Sequence, residues 1–188
     1  VLIPNPRDIP GFVKELSRHK FTSFAGLNTL FVALCNNKGF NELDFSHLKH
    51  TISGGMALTE AAASKWQGVT GCQIQEAYGL TETSPAVSFN PYHDIRIGTI
   101  GKVLTGTQVK VIAEDGTDLG FNQEGELCVK GPQVMAGYWQ RPEATAQAID
   151  AEGWFKTGDV AILAEDGFIR LVDRIKDMIN VSGFNVYP

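Results

Sequence analysis

Thr81, Glu82, Thr83 and Ser84 occupy four consecutive positions immediately after Tyr78-Gly79-Leu80. Three hydroxyls and a carboxylate are hard oxygen donors. They suit a phosphate and Mg²⁺, an ion that takes one or two carboxylates and fills its shell with phosphate and water. The stretch before them, Cys72 and Ile74 against Gln73 and Gln75, alternates as a strand does and stops at Tyr78-Gly79. The glycine gives the backbone freedom to turn there. The same residues would equally serve a polar loop with a capping threonine, and side-chain chemistry by itself leaves both readings open.

Other candidates are weaker singly. Gly54-Gly55 follows Thr51-Ile52-Ser53 and could be a backbone platform for a flat base or an ordinary tight turn. Tyr78 could stack on an aromatic ring or be half-buried core. Asp159, in Thr157-Gly158-Asp159 just before an apolar run at Val160, could accept two hydrogen bonds from a ribose diol or simply shape a turn. Arg174 could pair with ribose or phosphate oxygens, or be a surface charge between Asp173 and Asp177. His47-x-x-His50 near Asp44 mimics a metal pair but has no third ligand at a suitable spacing, which makes it surface decoration. The Asp-Gly turns are too short for calcium loops. There is no Ser-His-Asp arrangement, no Gly-x-Ser-x-Gly elbow and no Walker-type phosphate loop.

The elements that must position these residues have two textures, meeting near residue 90. The first half alternates helix and strand. Asp8 caps a helix with Pro10 in its first turn and Phe12, Val13 and Leu16 inward. A strand over 21–25 leads to a helix from Asn28 carrying Leu30, Phe31 and Leu34. Thr51-Ile52-Ser53 is a strand, Thr59 caps a helix closed by Gly71, and residues 72–77 form the next strand. This rhythm predicts a mostly parallel sheet, whose ligands gather at the carboxyl ends of the strands, where Gly54-Gly55 and Tyr78-Gly79 both fall. From about residue 95 the chain is β-rich. Strands are expected over 109–112, 125–130, 160–163 and 168–172, the last two joined by the hairpin signal Glu165-Asp166-Gly167, with one helix over 142–149. The expected fold is therefore α/β followed by a β-rich subdomain: the end of a parallel βαβ layer (1–92), a small distorted β-barrel (93–172), and a charged connection with a fresh strand (173–188).

Composition narrows the function classes. The chain has 188 residues, 43% of them hydrophobic, enough for a substantial core. A net charge of −5 without a basic stripe argues against a nucleic-acid partner. Three well-separated cysteines, Cys35, Cys72 and Cys128, read as reduced core thiols of a cytosolic protein. No apolar run reaches the roughly 18 residues of a membrane span. Val1-Leu2-Ile3-Pro4 reads as a strand already under way and the end at Pro188 is as abrupt, so a segment of a longer protein is expected.

In order and spacing, Ser53-Gly54-Gly55-Met56, Tyr78-Gly79-Leu80-Thr81-Glu82, Gly137-Tyr138-Trp139, Gly153-Trp154-Phe155-Lys156-Thr157-Gly158-Asp159 and Asp173-Arg174-Ile175-Lys176-Asp177 resemble the adenylate-forming superfamily of acyl-CoA synthetases, luciferases and peptide-synthetase adenylation domains. The stretches Gly26–Phe31, Gly131–Met135 and Val181–Pro188 look like bacterial long-chain fatty-acid–CoA ligases. The resemblance implies a truncated acyl-CoA synthetase-like fold and a two-step reaction. In the first step a fatty acid and ATP give an acyl-adenylate and pyrophosphate; in the second, CoA displaces AMP. ATP/AMP, Mg²⁺ and CoA are the implied cofactors and co-substrates.

By motif, Gly54, Gly55, Glu76, Ala77, Tyr78 and Gly79 would frame the adenine, with Tyr78 against its face. Thr81 would hold the α-phosphate and help orient the attacking carboxylate, and Glu82 would bind Mg²⁺. Asp159 would hold the ribose, and Arg174 the ribose or phosphate. Lys176 falls at the hinge of the family, Gly183 by the CoA channel, and Gly26, Asn28 and Gly54 along the wall of an acyl pocket. A Ser/Thr/Gly-rich phosphate loop and a catalytic lysine that the family carries have no counterpart here, so the parent protein is expected to be a ligase and this chain a fragment of little activity. The implied partners are fatty acid, ATP and CoA. The implied setting is cytoplasmic, with room for a homodimer and for peripheral attachment at the inner face of the cell membrane. Adenylation of a different carboxylate, or an inactive nucleotide-binding remnant, are the alternatives.

Overall fold

The computed structural model describes residues 5–174, 179–181 and 184–186. The chain forms two compact units that meet between Glu76 and Ala77.

The first unit alternates helix and strand as its sequence predicts. Helix α1 (Ile9–Leu16) starts where the Asp8 carboxylate accepts the Gly11 N–H at 3.1 Å, and it buries Phe12, Val13 and Leu16. Strand β1 (Ser23–Gly26), helix α2 (Asn28–Cys35), a short helix α3 (Lys38–Asn41), strand β2 (His50–Ser53) and helix α4 (Glu60–Thr70) follow. Strand β3 (Ile74–Gly79) crosses the boundary between the units. β1 pairs parallel with β2, and β2 pairs parallel with the first half of β3, placing Ser53 beside Glu76. Thr59 caps α4 by accepting from the Ala62 N–H, and Gly71 ends the helix at φ +72, a conformation open to glycine. The core centres on Trp66, whose ring lies 4.8 Å from that of Phe31, 5.1 Å from Phe24 and 5.4 Å from Phe40. Its indole N–H donates to the Thr51 hydroxyl at 3.1 Å, fastening α4 to β2.

In the second unit the rest of β3 turns antiparallel. Tyr78 pairs with Ser88 of β4 (Ala86–Phe89), and β4 pairs with β5 (Lys102–Val103). Strands β6 (Gln108–Ile112), β7 (Glu124–Lys130), β8 (Phe155–Leu163) and β9 (Ile169–Arg174) form a four-stranded antiparallel sheet in chain order. Two register shifts curl it into a half-barrel. Helix α5 (Pro142–Ala148) lies between β7 and β8 in the chain. The short hairpin of β10 (Ile179–Val181) and β11 (Phe184–Val186) ends the described residues. The inner face buries Val111, Leu127, Val129, Ala161 and Ile169 with Val87, Ile100 and Tyr78.

The α/β layer followed by a β-rich part is the expected architecture. Four elements were not foreseen: α3, β4, β5 and one of the two strands of the β10–β11 hairpin, where a single fresh strand was expected. Another differs in extent. β8 begins at Phe155, not at Val160, so Asp159 lies inside a strand where a turn before one was expected. Cys35, Cys72 and Cys128 are buried free thiols, and burial pushes the Cys128 thiol up to about 12.

Candidate functional site

The strand end singled out by sequence folds tightly on itself. Gly79 must be glycine, because a Cβ there would overlap the Pro85 carbonyl where β4 returns alongside β3. Leu80 leads into a 3₁₀ turn, Thr81–Thr83. Within it the four consecutive polar residues divide their labour. Thr83 is fully buried, and its hydroxyl accepts the Leu80 N–H at 2.9 Å and contacts the carbonyl oxygens of Leu80 and Pro85. It is the capping threonine. Thr81 and Ser84 are exposed and Glu82 is half-buried, so these remain able to meet a ligand.

Glu82 is held at two points by the segment after β7. Its backbone carbonyl accepts the Met135 N–H at 2.8 Å, and its Oε1 accepts the Tyr138 hydroxyl at 2.9 Å. The other carboxylate oxygen has no hydrogen-bond partner among the described residues. Tyr138 is itself anchored by its backbone N–H to the Thr145 hydroxyl on α5, at 2.9 Å.

Asp159 is placed by a bulge. Opposite the single residue Leu127 of β7 stand Thr157, Gly158 and Asp159 of β8, between the pairs Cys128–Lys156 and Glu126–Val160. The extra residues are tied down one by one. The Thr157 hydroxyl donates to the Leu127 carbonyl at 2.8 Å, the Gly158 N–H to Glu126 Oε1 at 3.0 Å, and the Asp159 N–H to the Thr157 hydroxyl at 3.0 Å. Gly158 has φ +72, so the bulge uses its freedom. The result brings Asp159, only 1% exposed, against the buried Tyr78, whose hydroxyl donates to Asp159 Oδ2 at 2.5 Å. Arg174 pairs with Asp159 across β8 and β9 by its backbone.

The second unit thus joins Tyr78 to Asp159 and seats Glu82 three residues beyond Gly79. Ala77 is half-buried on β3. In the first unit Gly55 follows β2 at φ +83, a turn conformation that glycine favours, and nothing would meet a Cβ there. Gly54 is half-buried and Glu76 is buried at 8% exposure. Asn28 Oδ1 accepts both the N–H and the hydroxyl of Thr59 at 3.0 Å, joining the starts of α2 and α4, while Gly26 leaves room for the Phe31 ring. Lys176 and Gly183 lie outside the described residues. Sequence reasoning assigned no role to Tyr138 or Glu126. Tyr138 was visible only as a member of Gly137-Tyr138-Trp139, and Glu126 carried no local signal.

Among the described residues no three His, Cys, Asp or Glu side chains cluster into a protein-only metal cage. A single half-buried carboxylate with one oxygen fixed and the other available, next to an exposed hydroxyl, fits an ion that takes most of its ligands from phosphate and water. Mg²⁺ is one such ion.

The family model described as AMP-binding enzyme matches residues 1–139. The long-chain-fatty-acid–CoA ligase of Escherichia coli O6:H1 is 54% identical over 189 aligned residues, covering all of this chain and 34% of that protein. The chain therefore spans about a third of the length of the curated relatives it matches. The structure of the anthranilate CoA ligase AuaEII in complex with anthranoyl-AMP matches with a TM-score of 0.86 at 29% identity, over all of this chain and 36% of that one. ATP-bound MatB from Rhodopseudomonas palustris matches with a TM-score of 0.80 at 33% identity, over 96% of this chain and 36% of that one. The match across more than half of its residues settles membership: the chain belongs to the AMP-binding enzyme family.

Proposed function

We propose that the protein carrying this chain is an ATP-dependent long-chain-fatty-acid–CoA ligase, and that this chain supplies one wall of its nucleotide site. The observation that carries the reading is the 54% identity, over the whole chain, to a ligase of that name. The matched structures of an anthranilate ligase and of MatB stand at 29% and 33%, which makes adenylation of another acid the second reading.

In the first half-reaction a carboxylate oxygen attacks the α-phosphorus of ATP, the bond to the bridging oxygen breaks, and pyrophosphate leaves. In the second the CoA thiolate attacks the acyl carbon and AMP departs with the bonding pair. Charge builds on the α-phosphoryl oxygens in the first step, so fixed donors there lower its barrier. The exposed Thr81 hydroxyl is such a donor. The Tyr78 ring would lie against the adenine, flanked by Ala77 and Gly79, and Asp159 would accept from the ribose hydroxyls. Because Asp159 is 1% exposed and already bonded to Tyr78, ribose binding requires the Tyr78 hydroxyl to share or yield Oδ2. Glu82 would hold Mg²⁺, which when bound supplies positive charge to the phosphates. Roles for Gly54, Gly55, Glu76, Arg174, Lys176 and Gly183, and for Gly26 and Asn28 in the acyl pocket, rest on motif order. No helix among the described residues is long and apolar enough to cross a membrane. The cytoplasmic setting, peripheral membrane attachment and a homodimer belong to this same proposal.

The test is ATP–pyrophosphate exchange by the full-length protein with palmitate, oleate, octanoate, malonate and anthranilate. The proposal expects the highest rate with palmitate or oleate. Preference for anthranilate or malonate would favour the second reading, and no exchange with any acid would sink both.

A further inference from the structure

We infer that Tyr138 is the positioning residue for Glu82: its hydroxyl presets the carboxylate to receive the metal of the metal–nucleotide complex. The inference rests on the reading of Glu82 as the metal ligand, and it gives a role to the tyrosine of Gly137-Tyr138-Trp139.

The argument is geometric. The segment between β7 and α5 grips Glu82 at both ends of the residue, the Met135 N–H on its backbone carbonyl at 2.8 Å and the Tyr138 hydroxyl on its carboxylate at 2.9 Å. A glutamate on an open turn samples many rotamers, and a metal that binds it must freeze them. Here the freezing is done beforehand by a neutral donor that occupies Oε1 and leaves Oε2 without a partner among the described residues. A neutral hydroxyl also leaves the negative charge of the carboxylate in place, where a lysine or arginine would offset it. The donor is itself rigidly seated. The Tyr138 N–H bonds the Thr145 hydroxyl at 2.9 Å, and a Cβ on Gly137 (φ +152) would come within 2.7 Å of the Thr145 methyl, so the chain runs flush against α5. A support of this kind, one hydrogen bond behind the ligand, is what holds a metal-binding carboxylate in its productive geometry. If the bond served only to dock the loop, the Met135 and Thr145 contacts would already do so.

The test measures Mn²⁺ bound to the full-length protein with α,β-methylene-ATP, from the electron paramagnetic resonance signal of free Mn²⁺. Wild type is compared with Tyr138→Phe, Glu82→Gln and, as a control, Trp139→Ala, whose side chain is 87% exposed. Tyr138→Phe should weaken Mn²⁺ about fivefold to tenfold, the effect of one hydrogen bond to a charged group that is partly open to water. Affinity for the analogue without metal and the melting temperature should stay near wild type. Glu82→Gln should weaken Mn²⁺ further and Trp139→Ala not at all. Wild-type Mn²⁺ affinity in Tyr138→Phe, with Glu82→Gln impaired, would overturn the inference and leave the Glu82 reading standing. Equal losses of metal-free and metal-bound affinity in Tyr138→Phe would make the bond structural and also overturn it. Unchanged Mn²⁺ affinity in Glu82→Gln would remove the reading on which the inference rests.

Discussion

The two carboxylates of the candidate site are held in opposite ways. Asp159 sits inside a strand, 1% exposed, at the end of a bulge whose first two residues are bonded to β7. Glu82 sits half-buried on a single 3₁₀ turn, steadied from one side by a loop. Both accept from a tyrosine hydroxyl, yet Asp159 is fixed by the fold while Glu82 is only guided by it. A sugar diol would need its acceptor built into the backbone of a strand, whereas a metal ion that takes most of its ligands from phosphate and water would need only one carboxylate oxygen presented to it, which a single hydroxyl behind the carboxylate can arrange.

The sharpest way to break this contrast is to remove Asp159. Asp159→Ala takes away the ribose acceptor and the buried partner of Tyr78 together. We expect the KM for ATP to rise about thirtyfold to a hundredfold and stability to fall by about 3 kcal/mol, as for a buried charge-assisted hydrogen bond. Exchange kinetics and urea titration measure the two effects. Unchanged ATP kinetics would refute the ribose role and leave Asp159 as framework.

Tyr78→Phe separates the two functions of that contact. The ring is kept and only the hydroxyl on Asp159 Oδ2 goes. Stability should drop by about 1–2 kcal/mol. Since ribose would claim the same oxygen, the KM for ATP should move by no more than about twofold. A rise as large as that of Asp159→Ala would mean that the hydroxyl orients Asp159 and does not compete for it.

Much of this was legible in sequence wherever the signal was local. Asp8, Thr59 and Gly71 marked helix ends because caps act over three or four residues. Phe31 and Leu34 declared the core by helical spacing. What escaped was set by distant chain. β4 hides behind Ser84-Pro85, and β5 is two residues long with no period to detect. The first half of β8 reads as a turn because Gly158 interrupts it; only pairing with β7 makes it a bulged strand. The pairs Tyr78–Asp159 and Glu82–Tyr138 bridge 81 and 56 residues, and no local pattern encodes such partners. The bond from Tyr138 became visible only once the chain was folded.

A third carboxylate environment tests whether burial is what ranks these residues. Arg96 bridges Asp94 at 2.9 Å and Asp166 at 2.6 Å, the three charged side chains all near solvent, with the guanidinium 3.7 Å from the centre of the buried Phe168 ring. Hydrogen bonding to Arg96 holds both aspartates below their ordinary value of 3.8. A depressed folded-state pKa means that the clamp contributes fully above the unfolded value and is lost as pH falls through the lower, folded one. Asp166→Asn should therefore lower the melting temperature slightly at neutral pH. The difference should shrink in about 1 M salt and vanish in acid once wild-type Asp166 is itself protonated. Thermal melts from neutral pH into acid follow it. The effect should be the smallest of the series, because water already screens these charges and must desolvate little to pair them. If Asp166→Asn cost as much stability as Asp159→Ala, solvent exposure would not be what separates the carboxylates, and the distinction between the fixed and the guided acid would have to be sought in backbone strain at the bulge.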